Sequence, residues 1–230
     1  MPIFENDFLK ISPRQEQSGQ ETNSILLSFT GIGHGMGGLN VQKPEFFGAG
    51  RSFDNIIFIT DKMRSWGNQL DFDSIKELLS PYIEERKVYS IGNSMGGFNS
   101  IISTNYIPTE VSISFVPQYS VHPSIVPWEK RWKQYTSKIH KYRFESVENY
   151  MNDTTNYFIF SGGIDADLRH AELFPVKDNI HHYTLHNVAH NVATALKKMG
   201  ALNETVQGCF NLENNLPLDL GYDKISPRNT

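Results

Sequence analysis

A single cysteine, Cys209, in 230 residues leaves no partner for an intrachain disulfide, so the apolar core rather than a covalent staple has to hold the fold. No apolar run approaches the roughly 20 residues that a membrane-spanning helix needs, so no span is expected. Basic residues do not dominate: 21 Lys and Arg against 25 Asp and Glu give a formal net charge of −4, which argues against a general nucleic-acid or anionic-membrane surface. The eight histidines have no HExxH or paired-cysteine spacing around them, which disfavours a zinc site, and no cofactor is expected. The opening MPIFENDFLK carries acids where a secretory leader would need a basic start and an apolar run, so a cytoplasmic location is the expectation. The length and ordinary composition fit one domain with a buried core.

What is present centres on Lys87 to Ser100, KVYSIGNSMGGFNS. A short strand, Val88 to Ile91, runs into the turn Gly92-Asn93-Ser94-Met95-Gly96 and on into a helix expected to extend to about Thr104. This is a G-x-S-x-G nucleophile elbow. The serine takes a strained conformation at the tip, and the close approach of strand and helix leaves no room for side chains two residues before and after it, which suits Gly92 and Gly96. The N–H of Met95 opens the helix, where unpaired donors and the positive dipole end can stabilise an oxyanion. Five residues as common as these identify little alone; the apolar strand before them and the small-residue helix start after them supply the context the motif requires.

Continuous apolar runs at Ser24 to Phe29, Asn55 to Thr60, Val111 to Val116 and Tyr157 to Phe160 predict strands buried on both faces, and His182 to Leu185 predicts a last one. Phe8 to Ile11 reads as a short edge strand closed by Ser12-Pro13. Helical spacing between Phe72 and Glu85 predicts a helix that Pro81 could split. The alternation predicts an α/β fold with a mostly parallel sheet and helices on both faces. Within Thr30 to Gly38, the eight residues from Gly31 hold five glycines, suited to an oxyanion hole or a phosphate cradle. The cradle is the weaker reading, because no Gly-Lys-Ser/Thr follows, and a dinucleotide fingerprint is imperfect, with Asp61 the one acid near the ribose position.

From Gln118 to Asp153 no buried-strand run occurs, and aromatic residues alternate with Lys and Arg. This reads as a small helical lid, residues 118–153, whose six basic residues form either a solvated face or an electropositive mouth for an anionic or sugar-containing substrate. An acid just past the Tyr157 strand would suit a histidine-orienting carboxylate: Asp165 is the first choice and Asp167 the alternative, either of which could instead cap the next helix. The histidine serving the serine should lie between the last strand and its helix, which selects His190, with His186 as runner-up. After Gly200 no strong period remains.

The order Ser94, Asp165, His190 on this alternation, with GNSMGG as its most specific part, resembles the α/β-hydrolase superfamily over most of Ser24 to Gly200. The resemblance implies Ser94 as nucleophile, His190 as general base and then acid, Asp165 as orienting carboxylate, and the amides of Met95 and Ile32 as oxyanion donors. Thr30 stands where many members carry histidine, and few strands precede Ser24, so a sheet shorter than the family's eight strands is expected. The run FVPQYSVHP and the tryptophan-rich segment after it also resemble hydrolase-like proteins of bacterial surface-polysaccharide gene sets. The implied function is an esterase-type serine hydrolase acting through an acyl-enzyme on a small-molecule or saccharide ester. An acyltransferase with the same site, and a non-catalytic binding or assembly protein with this fold, are the alternatives.

Overall fold

The computed structural model describes residues 1–14, 22–33, 42–213, 215–218 and 221–225. The glycine loop beyond Gly33, most of the polar stretch before Asn23 and the chain after Ile225 lie outside the described residues.

Among the described residues nine strands form one sheet: β1 (Phe4–Glu5), β2 (Leu9–Pro13), β3 (Ser24–Phe29), β4 (Asn55–Asp61), β5 (Lys87–Asn93), β6 (Val111–Phe115), β7 (Asn156–Gly162), β8 (Ile180–Leu185) and β9 (Tyr222–Ile225), in spatial order β1-β2-β4-β3-β5-β6-β7-β8-β9. The run from β4 through β8 is parallel, and the pairings at both ends are antiparallel. Every residue of β3 and β6 is buried, as the unbroken apolar runs predict for strands covered on both faces.

The sheet is therefore longer than expected. β2 is an interior strand between β1 and β4, not an edge, because Pro13 stands at its last position, where losing one ladder donor does little damage. The chain after Gly200 supplies a helix and β9.

The helices are α1 (Phe72–Ile83), α2 (Met95–Ser103), α3 (Lys133–Thr136), α4 (Asp165–Ala171), α5 (Val192–Lys198) and α6 (Leu202–Phe210). Asp71 caps α1 by accepting from the amides of Asp73 and Ser74, and Pro81 sits in its last turn without splitting it, where only one hydrogen bond is forgone. Apolar residues of α1 and α2 join one core cluster with Trp66, Trp132, Phe144 and Val147. Residues of α5 and α6, including Val192, Leu196, Val206 and Cys209, join a second with Phe115 and Phe160. Residues 118–153 contain only α3 and a single 3₁₀ turn, Glu148–Tyr150, far less helix than the lid reading predicts. Their aromatic residues are spent on packing, as with Trp132 and Phe144. No helix among the described residues is long and apolar enough to cross a membrane.

Candidate active site

Three loops at the carboxyl ends of parallel strands converge, the place where open α/β sheets form their crevices. The first follows β5. Ser94 has φ 56° and ψ −120°, a region that side-chain-bearing residues avoid, and its amide donates to the carbonyl of Phe115 at 2.8 Å. The elbow leaves no alternative to glycine around it: a Cβ on Gly92 would lie 2.2 Å from the Gly96 carbonyl, and one on Gly96 would lie 2.1 Å from the Phe29 carbonyl oxygen. The Met95 amide is the first of α2.

The second loop, between β8 and α5, carries His190. Its Nε2 is 2.8 Å from Ser94 Oγ, and its Nδ1 is 2.7 Å from Asp167 Oδ1. A neutral imidazole that donates from Nδ1 to the carboxylate presents Nε2 as the acceptor for the serine hydroxyl.

The third loop, after β7, carries both candidate acids, Asp165 and Asp167. Asp165 opens α4 with φ 56°, and its exposed side chain makes no hydrogen bond or ion pair among the described residues. Asp167, two residues on, is buried and faces His190. Burial alone would raise the Asp167 carboxyl, but the hydrogen bonds from His190 and Arg131 and the Arg131 charge outweigh it and hold the carboxyl below its ordinary range. His186 lies elsewhere, against Asp223 at 2.9 Å on the surface, because it closes the β8 end where β9 pairs.

Ile32 is buried on the loop after β3, and a Cβ on Gly31 beside it would come within 2.9 Å of the Asn93 carbonyl oxygen, so this loop lies against the backbone that enters the elbow. Arg64 Nε donates to the Ile32 carbonyl at 3.0 Å and fixes that peptide. Glu45 also packs here. Burial pushes its carboxyl up to about 7 against the weaker opposing hydrogen bond from Gly31, and its Oε2 has no hydrogen-bond partner among the described residues. Asp61, the acid near a notional ribose position, is instead consumed in a buried turn, where it accepts from the amides of Met63, Ser65 and Gly67.

Three further residues touch the site without having been expected there, all from the 118–153 segment. Gln118, fully buried, donates from Nε2 to Ser94 Oγ at 3.3 Å, and its Oε1 accepts from Trp66 Nε1 at 2.7 Å, which fixes the amide orientation because an indole can only donate. The Trp132 ring lies 5.2 Å from that of His190. Arg131 places NH1 2.9 Å from Asp167 Oδ2. Gln118 directly follows Pro117 at the end of β6, a carboxyl end of the parallel sheet, and that position was the available signal; Arg131 and Trp132 have none, since the segment lacks periodicity.

No family model matches the chain, and no curated protein matches it. Solved structures do. A capsule O-acetyltransferase of Neisseria meningitidis serogroup A superposes with a TM-score of 0.62 at 14% identity, covering 89% of this chain and 93% of that one. Est1E from Butyrivibrio proteoclasticus, solved with ferulic acid bound, gives 0.55 at 12% identity over 92% and 99%. An alpha-beta serine hydrolase homologue from Coxiella burnetii gives 0.51 at 9% identity over 88% and 94%. The elbow, the sheet order and these superpositions agree: the chain has the fold of the α/β-hydrolase superfamily.

Proposed function

We propose that this protein is a serine ester hydrolase that works through an acyl-enzyme, with Ser94 as nucleophile, His190 as general base and then general acid, and Asp167 as the orienting carboxylate. The observation that carries the reading is the continuous contact Ser94 Oγ to His190 Nε2 at 2.8 Å and His190 Nδ1 to Asp167 Oδ1 at 2.7 Å, on a serine held in a strained turn. Attack of Oγ on an ester carbonyl passes the hydroxyl proton to Nε2, which then delivers it to the departing alcohol; water repeats the sequence and frees Ser94. The amides of Met95 and Ile32 receive the oxyanion, a contribution of about 2.7–4 kcal/mol per donor in such sites. The 118–153 segment walls the site, and its basic and aromatic residues suit an ester on a polar, sugar-like or anionic scaffold.

The test is turnover of a small activated ester such as p-nitrophenyl acetate. Ser94→Ala should abolish it while circular dichroism and the melting curve stay those of a folded protein. Equal turnover by the variant contradicts the reading.

A second reading, O-acyl transfer to a hydroxyl acceptor, uses the same acyl-enzyme and is favoured by the superposition on a capsule O-acetyltransferase, which is also matched in a form complexed with CoA. Turnover with a saccharide acceptor present separates the two. Acylated saccharide exceeding free acid as product supports transfer, and free acid alone supports hydrolysis.

A further inference from the structure

We propose that Glu129 and Arg131 form a charge-balancing brace behind the Asp167–His190 pair, with Arg131 a positioning residue for the reaction; this deepens the hydrolase reading and rests on it for its purpose, though not for its geometry. Asp167 uses one oxygen for His190 and the other for Arg131 NH1, at 2.7 and 2.9 Å. Behind it the Arg131 guanidinium grips Glu129: Nε is 3.1 and 3.0 Å from the two carboxylate oxygens, and NH2 is 2.6 Å from Oε2. Such a fork fixes the plane and position of Arg131 in a way a lysine could not.

The far end is anchored by a histidine whose state can be read from its partners. His170 Nδ1 accepts the Tyr119 backbone N–H at 3.2 Å, so the proton sits on Nε2, which faces Glu129 Oε2 at 3.1 Å. This ring is therefore neutral, in line with burial pushing its protonation down, and its contact with Glu129 is a hydrogen bond and not an ion pair. Glu129, in contrast, stays ionised: burial would raise it, but the hydrogen bonds from His170 and Arg131 and the Arg131 charge bring it to about 2.

These three groups thus sum to one negative charge in the resting site, from Asp167 and Glu129 against Arg131. Side-chain exposures of 5% for Asp167 and 4% for Glu129, against 29% for Arg131, put both acids out of water. When His190 accepts the serine proton, the sum becomes zero. Without Arg131 it would rest at minus two, a field more favourable to a positive charge on the imidazole; without the Glu129 charge it would rest at zero, a field less favourable to one. The remaining charged groups nearby do not alter that count: Asp165 and Arg169 on α4 are exposed, Arg169 stacking on Trp128 at 4.1 Å, while Glu45 and Arg64 lie with the loop after β3.

Two variants should move the site in opposite directions, which a merely structural role would not do. The His190 ring signals, assigned by their loss in His190→Gln, are followed by NMR against pH in the intact protein. Arg131→Met should move their titration midpoint up from that of the unmodified protein by about one pH unit, and the isosteric Glu129→Gln should move it down by a similar amount. Arg131→Lys should bring the midpoint back toward the unmodified protein. Midpoints that stay within a few tenths of a unit, or that move the same way in both variants, overturn the proposal. If Arg131→Met does not fold, Glu129→Gln decides alone, a downward shift supporting the brace and no shift overturning it. The readout needs no turnover, so a protein without esterase activity would sink the hydrolase reading while the midpoints still decide this one.

Discussion

Asp167 and His190, 23 residues apart in the chain, meet at 2.7 Å because the first turn of α4 carries the acid inward from the end of β7 while the β8–α5 loop brings the imidazole back across the same strand ends. Asp165, two positions earlier, faces outward. The two acids therefore predict very different mutants. Asp167→Asn keeps the shape but favours the wrong imidazole tautomer and should lower kcat by about 10³–10⁴-fold with a smaller change in KM, whereas Asp165→Asn should stay within about twofold. Steady-state kinetics on one activated ester checks both.

The elbow stores backbone strain at Ser94, whose φ of 56° and ψ of −120° suit glycine. Ser94→Gly should accordingly be more stable than Ser94→Ala by about 1 kcal/mol, the relief of strain outweighing the extra flexibility of the unfolded chain, and both should be inactive. Urea denaturation of the two variants measures the difference, and a less stable glycine variant contradicts it.

Crowding at the same turn predicts the opposite outcome for its glycines. A methyl group at Gly96 meets the Phe29 carbonyl oxygen at 2.1 Å, backbone that cannot step aside without disturbing β3. Gly96→Ala should lower stability by more than about 3 kcal/mol, seen as a melting temperature reduced by several degrees or as loss of soluble protein.

Stability against pH should carry two opposed signatures. Glu45 is raised by burial from 4.5 to about 7, so the folded state holds a proton that the unfolded state releases, and this group makes stability fall as pH rises through about 4.5 to 7. His182, buried with Ser161 Oγ at 2.9 Å from its Nε2, is lowered by burial from 6.5 to about 4. The unfolded state then binds the extra proton, and this group makes stability fall as pH drops from about 6.5 to 4. Between about 4.5 and 6.5 the two slopes oppose each other. Glu45→Gln should remove the first, leaving stability that rises with pH more steeply than in the unmodified protein, and His182→Gln should remove the second, leaving stability that falls relative to it. Urea midpoints at pH 5 and 6.5 read both signs.

The parallel centre of the sheet was legible because strands covered on both faces must be apolar at every position, as SILLSF in β3 is. β9 was not, since its tail has no period and its place comes from pairing with β8. The elbow was legible because sterics leave Gly92 and Gly96 no substitute. Which of two acids two residues apart faces inward depends on where α4 begins, and that boundary is set by tertiary packing. Gln118 offered only its place past the carboxyl end of β6, and Arg131 could not be recognised as a site residue because an irregular segment gives no face to read; their placement depends on Trp66, Glu129 and His170 supplying complementary donors and acceptors.

Activation of Ser94 by His190 can be probed chemically. Intact-protein mass spectrometry after exposure to a fluorophosphonate, with peptide mapping, tests it most directly. One adduct per chain is expected, on Ser94, and it should be lost in a folded His190→Ala variant. No adduct on Ser94, or labelling equally fast without the imidazole, would contradict it.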